Sequence, residues 1–313
     1  MKPLRQAVDD YLELRRALGF KLVKYAACLR EFVAFLEQQN STHITTALAV
    51  QFATLHPHQT PKVQATRYSA VRGFASYRLG ADPATEIPPC GLVRGRAQRA
   101  RPYLYSDEEV RRLLEAARRL PSRDPLRPWT YYCLFGLLAV TGLRLGEALN
   151  LQCQDIDWAE GLLTIRNTKF GKSRLVPLHA STLETLAAYT KRRDRFFAER
   201  SIPRAPHFFL TKVGTPLQAA YVYRVFWALS RQIGLRAPAA HQGPRLHDFR
   251  HRFAVETLRG WYQAGADVER RLPALATYLG HAQVTDTYWY LSCSPQLLAA
   301  AATRLEQRWE GVR

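Results

Sequence analysis

The stretch Trp129-Thr-Tyr-Tyr-Cys-Leu-Phe-Gly-Leu-Leu-Ala-Val-Thr-Gly-Leu-Arg-Leu-Gly-Glu147 decides how the rest of the chain is read. Trp129 to Val140 is almost wholly apolar, yet even carried on to Gly142 it falls short of the roughly 18 uncharged apolar residues that a membrane span needs. It therefore reads as a helix buried in a folded core. Gly142 ends that helix, Arg144 sits in the turn, and Glu147 enters the next helix. An arginine beside buried apolar sequence needs an anion. Glu147 at i+3 can supply one locally, and a bound anion can supply one equally well.

Upstream of this stretch, Ser106-Asp-Glu-Glu109 is a capping box that opens a helix over Val110 to Leu120. Downstream, the period changes from helical to alternating between Gly161 and Leu178. Leu162 to Ile165, a turn from Lys169 to Lys172 around Gly171, and Leu175 to Pro177 predict a β-hairpin. Helical spacing returns at Ser181 to Glu199, Leu217 to Ile233, His247 to Gly260 and Val268 to Leu279, with a last helix from Ser294-Pro295 to about Trp309. The first 80 residues are helical throughout: Leu4 to Leu18 and Leu22 to Gln39 flank Gly19, and Thr45 to Leu55 and Val63 to Leu79 follow. Asp82-Pro83 and Pro88-Pro89 then break the chain. The expected fold class is mainly α (α+β), with a helical first domain over 1–92, a linker over 93–103, and a mostly helical second domain over 104–313 that carries a small antiparallel sheet.

Charge narrows the function. The 313 residues hold 45 Lys plus Arg against 26 Asp plus Glu, a formal net charge of +19, and 47% are hydrophobic. That composition supports two buried cores and argues against a disordered chain. The amino terminus lacks the apolar core of a secretory signal, so a soluble, cytoplasmic protein with no membrane partner is expected. Five scattered cysteines form no CxxC pair, so neither a disulfide framework nor a cysteine zinc site is implied. The basic excess makes nucleic acid the first candidate partner, with an arginine-rich solvated surface as the plain alternative. The linker favours the former. Arg94, Arg96, Arg99 and Arg101 lie close together without an acid, which suits a strand laid along a phosphate backbone.

Two further segments put unlike polar residues at positions where periodicity asks for none. Leu246-His-Asp-Phe-Arg-His251 sets His247 and Arg250 on one helix face. Leu279-Gly-His-Ala-Gln-Val-Thr-Asp-Thr-Tyr-Trp-Tyr290 ends a helix at Gly280, presents His281, and carries Tyr288 and Tyr290 on a short helix. Taken singly, a His-x-x-Arg is more often a solvated face and such tyrosines an aromatic core stripe. Together, two arginines, two histidines, a hairpin lysine and a late tyrosine supply every role needed to attack a phosphodiester without a metal. Arginine forks bind nonbridging oxygens and neutralise charge in a pentavalent transition state. Tyrosine serves as nucleophile, and the roughly 4 kcal/mol needed to deprotonate a group of pKa about 10 near pH 7 is offset by nearby guanidinium charge and a histidine base. A lysine near cations has a lowered pKa suited to protonating the leaving oxygen.

These residues resemble the signature of the tyrosine recombinases of the phage integrase and Xer type, and the likeness covers nearly the whole chain. The resemblance implies that Arg144, Lys169, His247, Arg250, His281 and Tyr290 are catalytic. Lys169 is favoured over Lys172 because the family's lysine lies eight residues before the hairpin proline, here Pro177, which leaves Lys172 as a phosphate contact. Tyr290 is favoured over Tyr288 because the family's tyrosine lies nine residues after the Leu-Gly-His histidine. Glu147 resembles the family's acidic residue that orients an active-site group without binding metal. The first domain resembles the core-binding domain, and Arg94, Arg96, Arg99 and Arg101 match the family's interdomain linker, so that two domains would clamp a duplex. The resemblance further implies a 3′-phosphotyrosyl intermediate, no cofactor, double-stranded DNA as partner, and a homo- or hetero-tetramer on two DNA sites. Trp261 to Pro273 is longer than in the Xer pattern and resembles transposon-borne members, which points to integration or transposition of a mobile element. A type IB topoisomerase-like enzyme and a catalytically inactive DNA-binding accessory protein are the alternatives.

Overall fold

The computed structural model describes residues 3–20, 22–95, 102–166, 173–240, 243–293 and 295–310. The chain separates into two compact units, Met1–Ala100 and Arg101–Arg313.

Among its described residues the first unit contains four helices, α1 (Leu4–Ala17), α2 (Val23–Gln38), α3 (Thr46–Thr54) and α4 (Pro61–Arg78). Their starts and stops follow local chemistry. Gly19 takes a left-handed φ of +86° between α1 and α2. Thr45 caps α3 by accepting from the Leu48 amide at 3.2 Å, and Pro61 stands at the first turn of α4, where its missing N–H costs nothing. Leu12, Leu29, Phe32, Phe52 and Phe74 are fully buried at the centre. Arg67 lays its guanidinium 4.0 Å over the Phe52 ring and forks onto Glu31 at 2.8 and 2.9 Å. Arg94, at the far end of this unit, is exposed.

In the second unit the expected capping box forms: Ser106 accepts from the Glu109 amide, and Glu109 accepts from the Ser106 amide. It starts α5 (Asp107–Arg118), which packs on α6 (Leu126–Thr141). Helix α6 is the centre of the unit, with Leu134, Phe135 and Leu138 buried and with α8 (Ala180–Glu199) and α10 (Asp248–Gln263) also against it. The short α7 (Leu145–Leu149) follows the Gly142 turn. The hairpin is present as β2 (Leu162–Ile165) and β3 (Arg174–Pro177), paired antiparallel with Leu163 opposite Val176 and Ile165 opposite Arg174. A third strand, β1 (Ile156–Asp157), lies on the other side of β2. It was not expected, because two residues are too few to show alternation. Helix α9 (Ala219–Gln232) buries Val222, Phe226 and Leu229 in the same core.

A separate apolar cluster joins α10 to α11 (Val268–Leu279), α12 (Thr285–Cys293) and α13 (Pro295–Glu310), through Leu258, Leu272, Leu275, Leu279, Tyr290 and Leu297. The long segment after the His-x-x-Arg motif is absorbed as helix. α10 runs past Gly260 to Gln263, Gly265 turns the chain at φ +65°, and Asp267 caps α11 by accepting from the Arg270 amide at 3.1 Å. Among the described residues, no helix is long and apolar enough to cross a membrane.

Candidate active site

Two glycine turns organise the site. Gly142 ends α6 and Gly280 ends α11, each left-handed at φ +62° and +65°, the conformation that spares glycine the clash of a side chain. A helix that ends in this way leaves carbonyls without partners inside the helix. Here arginines take them. Arg250, on the first turn of α10 and only 2% exposed, donates through Nη1 to the Gly142 carbonyl at 3.0 Å and through Nη2 to the Leu279 carbonyl. Arg144, in the turn between α6 and α7, donates through Nη2 to the Gly280 carbonyl at 3.0 Å. The first motif and the third, more than a hundred residues apart, thus meet with the second between them.

The anion that Arg144 requires is present and shared. Arg144 Nη1 donates to Glu147 Oε1 at 2.8 Å, and the Arg144 amide donates to Oε2 at 3.0 Å. The same carboxylate also accepts a full fork from Arg174, Nη1 to Oε1 at 3.0 Å and Nη2 to Oε2 at 2.8 Å. Burial would raise the Glu147 pKa, but the hydrogen bonds from Arg174 and Arg144 outweigh it and hold the carboxyl at about 2. Arg250 has its pKa lowered to about 10, first by burial and then by the charge of Arg144. Two guanidinium groups therefore share one carboxylate, and Arg250 brings a third beside them on backbone carbonyls, an excess of positive charge in a partly dry place.

The histidines and the tyrosine pack beside this cluster. The His247 ring meets His251 edge-on at 4.8 Å between centroids. Burial, reinforced by the Arg250 charge, lowers the His247 pKa and favours the neutral imidazole. His281 is held by its Nδ1 against Thr287 Oγ1 at 2.7 Å. Its ring lies nearly parallel to Tyr290, centroids 6.0 Å apart and planes 17° apart. Tyr290 is 3% exposed, with His251 at 5.5 Å and Trp289 at 5.5 Å around its ring. Tyr288 is 51% exposed.

Of the residues picked out in the sequence, Arg144, Glu147, His247, Arg250, His281 and Tyr290 are brought to one neighbourhood. Lys169, Lys172, Arg96, Arg99 and Arg101 lie outside the described residues. Arg174 was missed. Its signal was available, because Arg174 and Val176 are two apart on a strand and so share a face, and Val176 is buried. His251 was missed as well, although it follows His247 by one helical turn.

The family comparison agrees with this geometry: the phage integrase family matches residues 104–296. The chain belongs to the phage integrase family. It is 54% identical over 313 residues to a Sinorhizobium fredii protein named integrase/recombinase y4rB, with 99% of each covered. It is 30% identical over 239 residues to the tyrosine recombinase XerD of Caulobacter vibrioides, covering 76% of this chain and 73% of that one. The chain is a tyrosine recombinase. Its fold also matches that of the Tn1549 transposon integrase, solved in complex with transposon right end DNA, at a TM-score of 0.69 and 16% identity, covering 98% and 99% of the two chains.

Proposed function

We propose that this tyrosine recombinase cuts and rejoins double-stranded DNA at specific sites, for the integration or transposition of a mobile element. The convergence of Arg144, Arg250, His247, His281 and Tyr290 around the Gly142 and Gly280 turns carries the reading. Arg144, Arg250 and His281 bind the scissile phosphate, whose charge matches the guanidinium excess. The Tyr290 hydroxyl oxygen bonds to phosphorus and gives its proton to neutral His247. The bond from phosphorus to the 5′ oxygen breaks, and Lys169 supplies the proton that leaves with it as a 5′ hydroxyl. The product is a 3′-phosphotyrosyl link. A 5′ hydroxyl from the partner duplex reverses the step, and the bond energy held in that link makes any cofactor unnecessary.

Residues 1–92 form the core-binding domain, 93–103 the linker and 104–313 the catalytic domain, a division supported by two compact units and by a family match that begins at residue 104. Arg94, Arg96, Arg99, Arg101 and Lys172 contact phosphates. The assembly is a tetramer on two sites, and the protein works in the cytoplasm. The length of the α10 to α11 segment supports the mobile-element role.

A nicked duplex that traps the covalent intermediate tests the reading. Wild type forms an adduct on its own site, and Tyr290→Phe, which keeps the buried ring, forms none. Absence of a wild-type adduct overturns the proposal, whereas an adduct with Tyr290→Phe overturns the choice of tyrosine.

A further inference from the structure

Arg174 has no role in the reaction as set out above, yet it is more deeply committed than Arg144. Its side chain is 8% exposed, as is that of Glu147, whereas Arg144 is 33% exposed. Among the described residues, three of its five N–H donors are spent, two on Glu147 and Nε on the Tyr278 carbonyl at 2.6 Å. Its fork is closed around a carboxylate, so its charge is turned to Glu147.

The consequence is electrostatic. Arg144 and Glu147 alone are one positive and one negative charge in contact, a neutral pair with little attraction left for an anion. Adding Arg174 on the inner side of Glu147 leaves the trio with one net positive charge. The outward member of the trio, the one with accessible surface, is Arg144. The Nε bond adds a mechanical tie, because Tyr278 is two residues before Gly280 and Arg174 opens β3. Gly280 permits that approach, since a Cβ there would stand 2.9 Å from Arg174 Nη1.

We propose that Arg174 is a positioning residue of the phosphate site: it occupies Glu147 so that the charge of Arg144 is left for the scissile phosphate, and it pins β3 beneath the turn that carries His281. This rests on the assignment of Arg144 to the phosphate made above.

A second-site rescue separates this role from a merely structural one. With the full chain and a nicked duplex, R174Q lowers the single-turnover cleavage rate at saturating protein by about tenfold to hundredfold, as loss of a preorganised charge does. The double variant R174Q/E147Q, which removes the uncompensated carboxylate, regains about threefold to tenfold over R174Q, a coupling expected only of directly interacting groups. A readout without chemistry runs beside it. Inorganic phosphate, compared with chloride at equal ionic strength, raises the melting temperature of wild type, the double variant and R174K, but not of R174Q. A double variant that cleaves no faster than R174Q, or an R174Q protein stabilised by phosphate as wild type is, overturns the proposal. If R174Q does not fold, loss of the phosphate effect in R174K overturns it, and retention supports it. Should wild type itself form no adduct, the recombinase reading falls while the phosphate measurement still decides the role of Arg174.

Discussion

Adding one methyl group at Gly280 should damage this protein in two separable ways. Gly280 and Gly265 share a φ of +65°, where a residue with a side chain costs about 1–2 kcal/mol. The surroundings differ. Among the described residues nothing lies within 4 Å of a Cβ at Gly265, whereas at Gly280 it would meet Arg174 Nη1 at 2.9 Å, Arg174 Cζ at 3.2 Å and Arg144 Nη1 at 3.5 Å. A guanidinium tip on the surface would swing aside. This one is buried and held by three hydrogen bonds. Gly265→Ala should therefore cost only the backbone term, and Gly280→Ala that term plus about 1–3 kcal/mol of overpacking. In thermal unfolding, where each kcal/mol is worth roughly 2–4 °C for a unit of this size, Gly280→Ala should fall about twice as far as Gly265→Ala. Cleavage of a nicked duplex should drop by at least about tenfold in Gly280→Ala, as displaced positioning groups do, and stay at the wild-type rate in Gly265→Ala. Equal melting temperatures for the two variants, with wild-type cleavage by both, would show that the Arg174 guanidinium yields freely to a side chain at position 280.

The titrating groups and the linker make their own predictions. Glu147 is held at about 2 against an ordinary 4.5, so the unfolded chain takes up its proton first as the pH falls. Its contribution to stability is complete above about pH 4.5 and disappears towards pH 2, and can reach about 3 kcal/mol. Glu147→Gln should flatten acid unfolding in that window, and an unchanged acid profile would contradict the assignment. His247 is lowered from 6.5 by burial and then by Arg250, so it remains neutral and able to accept a proton below the ordinary value. The acidic limb of the single-turnover rate should accordingly lie below pH 6.5, and a limb at or above that pH argues against His247 as the base. Replacing Arg94, Arg96, Arg99 and Arg101 together by alanine should reduce the slope of log affinity against log salt by up to about four, at roughly 0.9 for each phosphate no longer neutralised. An unaltered slope in a binding titration would remove the linker from the interface.

Much of this architecture was legible because it is set over short distances. Apolar spacing marked α6 and α11, and a glycine just past the last apolar residue marked both ends, since Gly142 and Gly280 adopt a backbone that other residues avoid. Ser106 and Glu109 announced α5, and alternation around Gly171 announced β2 and β3. Strand β1 stayed hidden, being two residues long and defined only by its pairing with β2. In the site, residue types in order pointed to six positions, but the order did not say how Arg144 meets its anion. Glu147 does pair with it, and Arg174, which drew no notice in the sequence, keeps that pair from being neutral.

Sterics and periodicity act between neighbours a few residues apart, and that range is enough to set the helices, their glycine stops, the hairpin and the chemical kinds of side chain available. Long-range packing settles which carbonyls Arg144 and Arg250 hold, that Glu147 is shared by two arginines, and that Tyr290 lies buried against His281. Arg144 and Gly280 are 136 positions apart along the chain. Contacts at that range exist only once α6, α10 and α11 have packed, and packing depends on the shapes of all three helices together.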